Sequence, residues 1–286
     1  MAEAVEGVRK YYDSRVMQVI MRHMDAGTEY YLRERLLKPI LPLIRERLAA
    51  SPLRPGVLVD VGTGPCWPLS VLPDMLGEMF YGVGVDVSEK LIVPAREMLV
   101  PERLKHLLDF CVCDAFHMPF RDKASDVLTV FGLCEYVDQR GLMKLLLELK
   151  RICKDNCIVI YTLRSSKHLP ALNKLARLLH RTRRTQTQIR VAKHTLEEAA
   201  HLTERLGFSV ITGTTTLHMN LNLTWRIYRL LRRINVKLGY AFTKAVALIE
   251  KITARITPHQ GYTIIIAATP SLSPQKPRAA QRSPPG

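Results

Sequence analysis

One short segment constrains the fold of this chain more than any other. The β-rich run 57–61 passes directly into a turn that contains Gly62 and Gly64, and a helical stretch, 68–76, follows the turn. Glycine in such a turn lets the backbone approach a ligand closely. A strand, a glycine turn and a helix in this order predict the first unit of an α/β sheet that binds a small molecule.

The alternation of strands and helices continues along the chain. Helical patterns separate most of the later apolar, β-rich runs, which is typical of a parallel sheet with right-handed crossovers. The predicted strands after the first are 81–87, 108–113, 127–131, 157–162, 208–212 and 262–268. The predicted helices between them are 88–99, 141–153 and 195–206, the last stopped by Gly207.

Two regions flank this alternation. Residues 1–50 have helical periodicity that Pro39 and Pro42 interrupt, and they predict a helical cap in front of a domain that spans 51–268. Residues 269–286 are rich in Pro, Ser and basic residues, so we expect a disordered tail.

A long insert, 217–257, separates the last two predicted strands. Its periodicity predicts a basic amphipathic helix or helix pair with a break at Gly239. One helical face is apolar: Leu223, Ile227, Leu230, Ile234, Leu238, Ala241, Ala245, Ile249, Ile252 and Ile256. Another is basic: Arg226, Arg229, Arg233, Lys237, Lys244, Lys251 and Arg255.

Two carboxylates stand at positions typical of nucleoside recognition. Asp86 ends the second strand, and a carboxylate there can accept the hydroxyl hydrogens of a ribose. Asp114 follows the third strand.

These motifs, in this order, resemble those of class I S-adenosylmethionine-dependent methyltransferases. The chain resembles the family in four segments: Asp60-Val61-Gly62-Thr63-Gly64, Gly84-Val85-Asp86-Val87-Ser88, Asp114-Ala115-Phe116-His117-Met118-Pro119-Phe120 and Leu133-Cys134-Glu135-Tyr136-Val137. The third segment is similar to the small-molecule branch that includes quinone and sterol methyltransferases. The resemblance implies a Rossmann-like seven-stranded sheet, with the helical cap and the basic insert added to it.

The resemblance also implies the cofactor, S-adenosyl-L-methionine, and its binding residues. Asp60, Gly62, Thr63 and Gly64 would lie beside the methionine part. Asp86 and Val87 would lie at the ribose, Asp114 and Ala115 at the adenine edge, and Phe131 and Gly132 at the sulfonium. Where many members of the family have a third glycine, this chain has Cys66.

A dehydrogenase is the alternative for a glycine turn followed by an acidic strand end. A dinucleotide fingerprint needs three spaced glycines, whereas Gly64 is followed by Pro65, Cys66 and Trp67. A pyrophosphate also needs free N–H groups at the helix start, and Pro65 removes one of them. The sequence therefore favours a cofactor without phosphate.

Methyl transfer makes modest demands on side chains, because the methyl donor is already activated and catalysis is largely positioning. A general base is needed only for a poorly ionised acceptor. The candidates are Glu135, Tyr136, His117 and His168, of which Glu135 and Tyr136 are preferred. Structural roles explain each of them as well. The tyrosines that could cap the pocket, or simply pack as amphipathic residues, are Tyr11, Tyr12, Tyr30 and Tyr31.

The charge distribution bears on the partner. The formal net charge is +16, and residues 168–260 carry 16 Lys and Arg residues but only four Asp and Glu residues. Three interpretations of the basic half remain open: an interfacial helix on an anionic membrane with a lipid-like acceptor, an RNA-binding surface that includes 181–185, or a lid over a small soluble acceptor. The membrane interpretation is favoured over the lid, and nucleic acid is the less favoured partner. A non-catalytic protein that binds S-adenosylmethionine is a further alternative.

Cysteine usage and the absence of a signal pattern bear on location. The six cysteines have no nearby histidine at zinc-ligand spacing, so we expect free thiols and no metal. Free thiols favour a reducing compartment. We therefore expect a cytoplasmic protein, to which the membrane interpretation of the insert adds peripheral attachment to a membrane. The sequence leaves its oligomeric state open.

Overall fold

The computed structural model describes residues 2–23, 25–52, 55–167, 191–217 and 221–271. Their centre is a seven-stranded sheet with the order β3-β2-β1-β4-β5-β7-β6. Strands β1 to β5 pair in parallel, and β7 runs antiparallel to both β5 and β6. The strands are β1 Gly56–Val61, β2 Phe80–Asp86, β3 Leu108–Val112, β4 Ser125–Val130, β5 Cys153–Arg164, β6 Phe208–Thr216 and β7 Thr263–Pro270. The predicted seven-stranded α/β sheet is therefore present.

Helices surround the sheet. Those before β1 are α1 Ala2–Asp13, α2 Val16–His23, α3 Ala26–Leu32 and α4 Leu41–Ala49, with a π-helical segment Arg33–Leu37 after α3. Those within the alternation are α5 Trp67–Leu76, α6 Glu89–Leu99, α7 Gln139–Ile152 and α8 Leu196–Arg205. Between β6 and β7 lie α9 Leu221–Ile234 and α10 Val236–Ile256. None of the helices in the described ranges is long and apolar enough to cross a membrane.

Two hydrophobic cores form on the two faces of the sheet, as expected for a doubly wound fold. One is built around α4 and α5 with Leu58 and Leu69, and the other around α7 with Leu128 and Leu145. The N-terminal helices join the first core through a buried ion pair. Arg47 Nη2 of α4 donates to Asp126 Oδ1 of β4 at 3.0 Å. The helices before β1 are therefore fixed to the centre of the sheet.

The insert corrects one prediction. The break between α9 and α10 lies at Asn235, whose Oδ1 accepts the N–H of Lys237 at 2.8 Å, and not at Gly239. Gly239 lies inside α10, where a Cβ atom would come within 3.0 Å of the Cβ of Arg232. The glycine thus permits the close approach of the two helices, and the cap at Asn235 starts the second one.

A buried charge cluster attaches α10 to the N-terminal helices. Glu250 of α10 is fully buried, and its Oε2 accepts from Arg35 Nε at 2.9 Å. The hydroxyl of Tyr31 donates to the other carboxylate oxygen. On the same side, Gly239, Thr243, Val246 and Ala247 are also buried. One face of α10 is therefore packed against the body of the protein.

Three sequence-based expectations fall on residues outside the described ranges. They are His168, the basic run 181–185 and the part of the tail beyond Ser271.

Candidate functional site

The glycine turn after β1 is held against β2. The N–H groups of Gly62 and Thr63 both donate to the carbonyl of Val85, at 2.8 and 2.9 Å. Gly62 has φ +70° and Gly64 has φ +51°. A Cβ atom at Gly62 would lie 3.0 Å from the Cβ of Leu133. Both the positive φ and the close neighbour require glycine at position 62.

Asp86 is fixed to this turn by the backbone. Its Oδ2 accepts from the N–H of Gly64 and its Oδ1 from the N–H of Ser88, each at 2.9 Å. Burial raises the pKa of Asp86, and the backbone N–H groups oppose that rise. A carboxylate has about four acceptor positions. Two remain, which is what a ribose diol needs.

Helix α1 reaches the same place. The hydroxyl of Ser88 donates to Oδ1 of Asp13 at 2.5 Å and also caps α6 by accepting the N–H of Leu91. The first helix is thereby attached beside the strand end that carries Asp86. Residues of α1 consequently form part of the wall of the site.

A large cavity opens at the carboxyl ends of β1, β2, β4 and β5. Its volume is about 1730 Å³. Ligands of open α/β sheets bind in such a crevice, where the strand order reverses. The wall includes ten predicted cofactor residues: Asp60, Gly62, Thr63, Gly64, Asp86, Val87, Asp114, Ala115, Phe131 and Gly132. It also includes Glu135 and Tyr136. His117 is different, because it is exposed and does not line the cavity.

The cavity wall concentrates polar atoms that have no partner in the protein. Among the described residues, five buried side-chain N or O atoms make no hydrogen bond, and four of them belong to residues of this wall. These four atoms are Asp60 Oδ2, Thr63 Oγ1, Trp67 Nε1 and His194 Nε2. Buried polar groups normally find partners. Three of the four atoms, from Asp60, Thr63 and Trp67, lie along the segment that carries the glycine turn.

Asp60 has an unusual environment for a carboxylate. Its Oδ1 accepts from the hydroxyl of Thr129 at 2.6 Å, and the side chain is almost fully buried. Burial raises the pKa of Asp60 to about 6, which the hydrogen bond from Thr129 opposes. A cationic ligand group beside it would favour the ionised form. The ammonium of a methionine moiety is a group of that kind.

The opposite part of the wall contains an ion pair. Nε and Nη2 of Arg164 lie 2.8 and 2.6 Å from Oε2 of Glu135. The guanidinium of Arg164 also stacks on Tyr262, 3.7 Å from the ring centre. The pair closes the end of β5 and holds the Glu135 carboxylate in one place.

Two tyrosines meet across the cavity next to this pair. The hydroxyl of Tyr12 in α1 donates to the hydroxyl of Tyr136 at 3.1 Å. Burial raises the pKa of both phenols. Both are therefore neutral at physiological pH and can donate or accept hydrogen bonds. Of the four tyrosines suggested as a cap, Tyr12 and Tyr31 line the cavity.

Several wall residues have no counterpart in the sequence prediction. Thr162 accepts the N–H of Gly132 at 2.9 Å and so fixes the loop after β4. Arg164 lies two residues beyond the predicted end of its strand. His194 precedes α8, and burial lowers its pKa, so its imidazole is neutral at pH 7. A lone histidine in a loop gives no sequence signal, whereas a longer prediction for β5 would have included Arg164.

The start of α5 does not suit a pyrophosphate. Pro65 and Pro68 flank the helix start and have no N–H, and Cys66 takes a left-handed conformation with φ 58°. Trp67 and Pro68 are buried. Few free N–H groups remain for an anion here. The geometry agrees with a cofactor that has no phosphate, as S-adenosylmethionine has none.

Comparison with known proteins supports this interpretation. Residues 59–161 match the family model described as a methyltransferase domain, and this segment contains all ten predicted cofactor residues. A sequence search among curated proteins found no match.

Solved structures share the fold. A SAM-dependent methyltransferase from Aquifex aeolicus is 15% identical with a TM-score of 0.51, and the match covers 90% of this chain and 97% of that chain. The Burkholderia thailandensis 1,6-didemethyltoxoflavin-N1-methyltransferase, with its substrate and S-adenosylhomocysteine bound, is 11% identical with a TM-score of 0.56, covering 94% and 90%. Phosphoethanolamine N-methyltransferase 2 of Haemonchus contortus, in complex with S-adenosyl-L-methionine, is 16% identical with a TM-score of 0.55, covering 92% of this chain and 60% of that chain. The predicted Rossmann-like fold of class I methyltransferases is confirmed.

Proposed function

Starting from a methyltransferase domain at residues 59–161, we propose that this enzyme transfers the methyl group of S-adenosyl-L-methionine to a small hydrophobic or lipid-like acceptor. We place it in the small-molecule branch that includes quinone and sterol methyltransferases. One observation carries the proposal: a single cavity joins the polar glycine turn to an apolar chamber beneath the N-terminal helices.

The cavity has room for two ligands. Its volume of about 1730 Å³ exceeds the roughly 300–1,000 Å³ that is usual for one small-molecule site. Beyond the turn, the cavity wall includes a group of apolar or aromatic side chains: Val19, Tyr31, Leu32, Leu36, Leu217 and Tyr262. Burial of apolar surface contributes about 25 cal/mol per Å², so this wall favours an acceptor with a hydrophobic body.

The cofactor would be held by the chain's own hydrogen-bonding groups. In this proposal Asp86 accepts from the ribose, Asp60 and Thr63 lie at the methionine part, and Asp114 lies at the adenine edge. S-adenosyl-L-methionine supplies an activated methyl group on a sulfonium. The protein then has to orient the acceptor in line with that methyl and exclude water.

Three groups at the junction of the two compartments could contact the acceptor. Tyr136, hydrogen-bonded to Tyr12, can orient a polar head, and Glu135 is held by Arg164. We add His194, because a neutral imidazole with a free Nε2 can accept a proton from a hydroxyl acceptor. His117, which is exposed away from the cavity, is no longer a candidate.

The acceptor class can be tested with labelled cofactor. The purified protein is incubated with methyl-tritiated S-adenosyl-L-methionine and, separately, a lipid extract in detergent, an aqueous extract of small metabolites, and total tRNA. We expect label in the organic phase of the lipid reaction, and its loss in Asp86→Ala. Label in tRNA alone would instead identify an RNA methyltransferase. Tight binding of S-adenosylhomocysteine without label in any pool would indicate a non-catalytic protein.

A further inference from the structure

Helices α9 and α10 expose a continuous apolar surface, which we call the outer stripe. Its large members are between 37% and 74% exposed. In α9 they recur every three or four residues, and in α10 positions 238, 249, 252 and 256 share one side of the helix. The outer stripe consists of Ile227, Leu230 and Ile234 of α9 and of Leu238, Leu248, Ile249, Ile252 and Ile256 of α10.

The outer stripe lies opposite the face by which α10 is packed. The buried residues Gly239, Thr243, Val246 and Glu250 follow one side of the helix, and Leu238, Ala245 and Ile252 follow the other. Glu250 is bound by Arg35 and Tyr31, so the helix is firmly attached by its inner side. An ordinary surface helix is polar on its outer side. An apolar outer side of this length indicates a second partner.

Basic residues border the outer stripe and form what we call the basic rim. All of them are exposed. The basic rim consists of Arg226, Arg229 and Arg233 of α9 and of Lys237, Lys244, Lys251 and Arg255 of α10. Between residues 221 and 271 the sequence contains one acidic residue, Glu250, and it is fully buried. Apart from Glu34, which pairs with Lys251, the charges that border the apolar centre in α9 and α10 are therefore basic.

We propose that the outer stripe and basic rim dock on an anionic phospholipid membrane, with α9 and α10 lying in the plane of the interface. Interfacial helices combine an apolar side that enters the acyl boundary with Lys and Arg at the headgroups. The basic rim is attracted to anionic lipids, and the outer stripe is buried only on contact. A membrane meets both requirements at once.

Other occupants satisfy only part of this pattern. RNA would engage the basic rim but leave the outer stripe in water. A second copy of the chain would cover the outer stripe but place two cationic rims close together, and like charges repel. The anionic bilayer is therefore the occupant that the charge pattern selects. This docking is independent of the acceptor, because the surface lies outside the cavity wall.

The position of α10 gives the docking a consequence for the cavity. Val246 and Ala247 on its inner side pack with Tyr31 and Leu217, which line the cavity. One helix thus borders the membrane on one side and the apolar chamber on the other. The proposed docking would thus bring the apolar part of the cavity to within one helix of the bilayer.

Co-sedimentation with lipid vesicles tests the proposal on the full-length protein. We expect wild-type protein to pellet with vesicles of phosphatidylcholine and phosphatidylglycerol at least about tenfold more than with phosphatidylcholine alone. Binding should disappear in 1 M salt, where the Debye length is about 3 Å. Equal pelleting with both vesicle types, or with neither, would overturn the proposal.

Two variants separate the contributions of the outer stripe and the basic rim. Ile252→Glu, and separately the triple variant Arg229→Glu/Arg233→Glu/Lys237→Glu, should each reduce anionic-vesicle binding about tenfold or more. The matched controls lie on other helices. Leu147→Glu is the control for Ile252→Glu, because the side chain of Leu147 is 50% exposed and that of Ile252 is 54% exposed. Lys90→Glu/Arg140→Glu/Lys144→Glu is the control for the triple variant, because it changes the net charge by the same amount. The controls should bind vesicles like wild type.

Three further measurements complete the design. Affinity for S-adenosylhomocysteine should stay within about twofold in Ile252→Glu and in the triple variant of the basic rim. This verifies folding, because none of these positions lines the cavity. Sedimentation velocity that shows a wild-type dimer and an Ile252→Glu monomer, without vesicle binding, would assign the surface to a second copy. A gel shift with tRNA that the triple variant abolishes, again without vesicle binding, would assign it to RNA.

Discussion

The backbone N–H of Gly64 donates a 2.9 Å hydrogen bond to Oδ2 of Asp86. This contact joins the turn after β1 to the end of β2, so the two motifs are one structural unit. A carboxylate held by two backbone donors keeps its place without help from a ligand, and pre-organisation of this kind lowers the cost of binding. Cofactor affinity should therefore depend on Asp86 and on the shape of the turn together.

Replacement of Asp86 should weaken cofactor binding while the fold persists. Asp86→Ala removes the acceptor for a ribose and also releases Gly64 and Ser88, so we expect a loss of about 1.5–3 kcal/mol in the binding of S-adenosylhomocysteine. Titration calorimetry measures it. Asp109→Ala, an exposed carboxylate on β3, is the matched control and should bind normally. Unchanged affinity in folded Asp86→Ala would remove this residue from the ribose site.

The turn itself can be tested with two glycines that both have a positive φ. Gly62 has φ +70° and Gly77 has φ +64°, but a Cβ at Gly62 meets Leu133 whereas a Cβ at Gly77 meets nothing within 4 Å. Gly62→Val should abolish binding of S-adenosylhomocysteine, because the side chain fills the space between backbone and ligand. Gly77→Val also strains the backbone, because its φ is positive, and it should lose stability only. Normal affinity in Gly62→Val would show that the cofactor lies elsewhere.

The raised pKa of Asp60 predicts that the free energy of unfolding falls as the pH rises. Burial raises its pKa from 3.8 to about 6, so the folded chain holds this proton more tightly than the unfolded chain. The contribution of Asp60 to the free energy of unfolding is greatest below about pH 4, and it falls as the pH rises to about 6. In Asp60→Asn no buried carboxylate has to ionise, so this loss of stability at high pH does not occur. We expect the variant to be more stable than wild type at pH 7.5 by up to about 3 kcal/mol.

Urea unfolding at pH 4.5 and pH 7.5 measures this difference, which should be much smaller at the lower pH. The same variant should bind S-adenosylhomocysteine more weakly at pH 7.5, because the anion beside the ligand's ammonium is lost. A stability difference that does not change with pH would contradict the buried, protonatable carboxylate.

The sequence predicted the sheet and the clustering of ten residues at one edge of it, for a physical reason. The positions 60–64, 86 and 114 follow strand ends, and parallel strands bring their carboxyl ends to one edge whatever the rest of the chain does. The ten predicted cofactor residues consequently line one cavity. His117 does not line this cavity. It lies on an exposed turn after the third strand, and the periodicity of the sequence does not predict the direction of such a turn.

The acceptor end was harder to predict, because it is assembled from distant segments. Tyr12 contacts Tyr136, which lies 124 positions away in the sequence. The ion pair of Glu135 with Arg164 depends on where β5 ends. The periodicity of the insert identified an apolar helical face correctly. That this face points outwards follows from Glu250, whose burial with Arg35 selects the opposite side of α10 as the packed one. No local pattern could reveal that choice.

The Arg35–Glu250 pair should control the stability of the insert. Both side chains are at most 7% exposed, so Glu250→Gln leaves a buried guanidinium without its counter-charge, and we expect a loss of about 3–5 kcal/mol in the free energy of unfolding. The double variant Arg35→Met/Glu250→Leu, which removes both charges, should recover most of that loss. Glu34→Gln is the control. Glu34 pairs with Lys251 and so joins the same two elements, Arg33–Leu37 and α10. Because Lys251 is 48% exposed, such a pair contributes at most about 1 kcal/mol. Equal losses in Glu250→Gln and Glu34→Gln would mean that α10 is held mainly by its apolar contacts, and that the direction of its outer face does not depend on this ion pair.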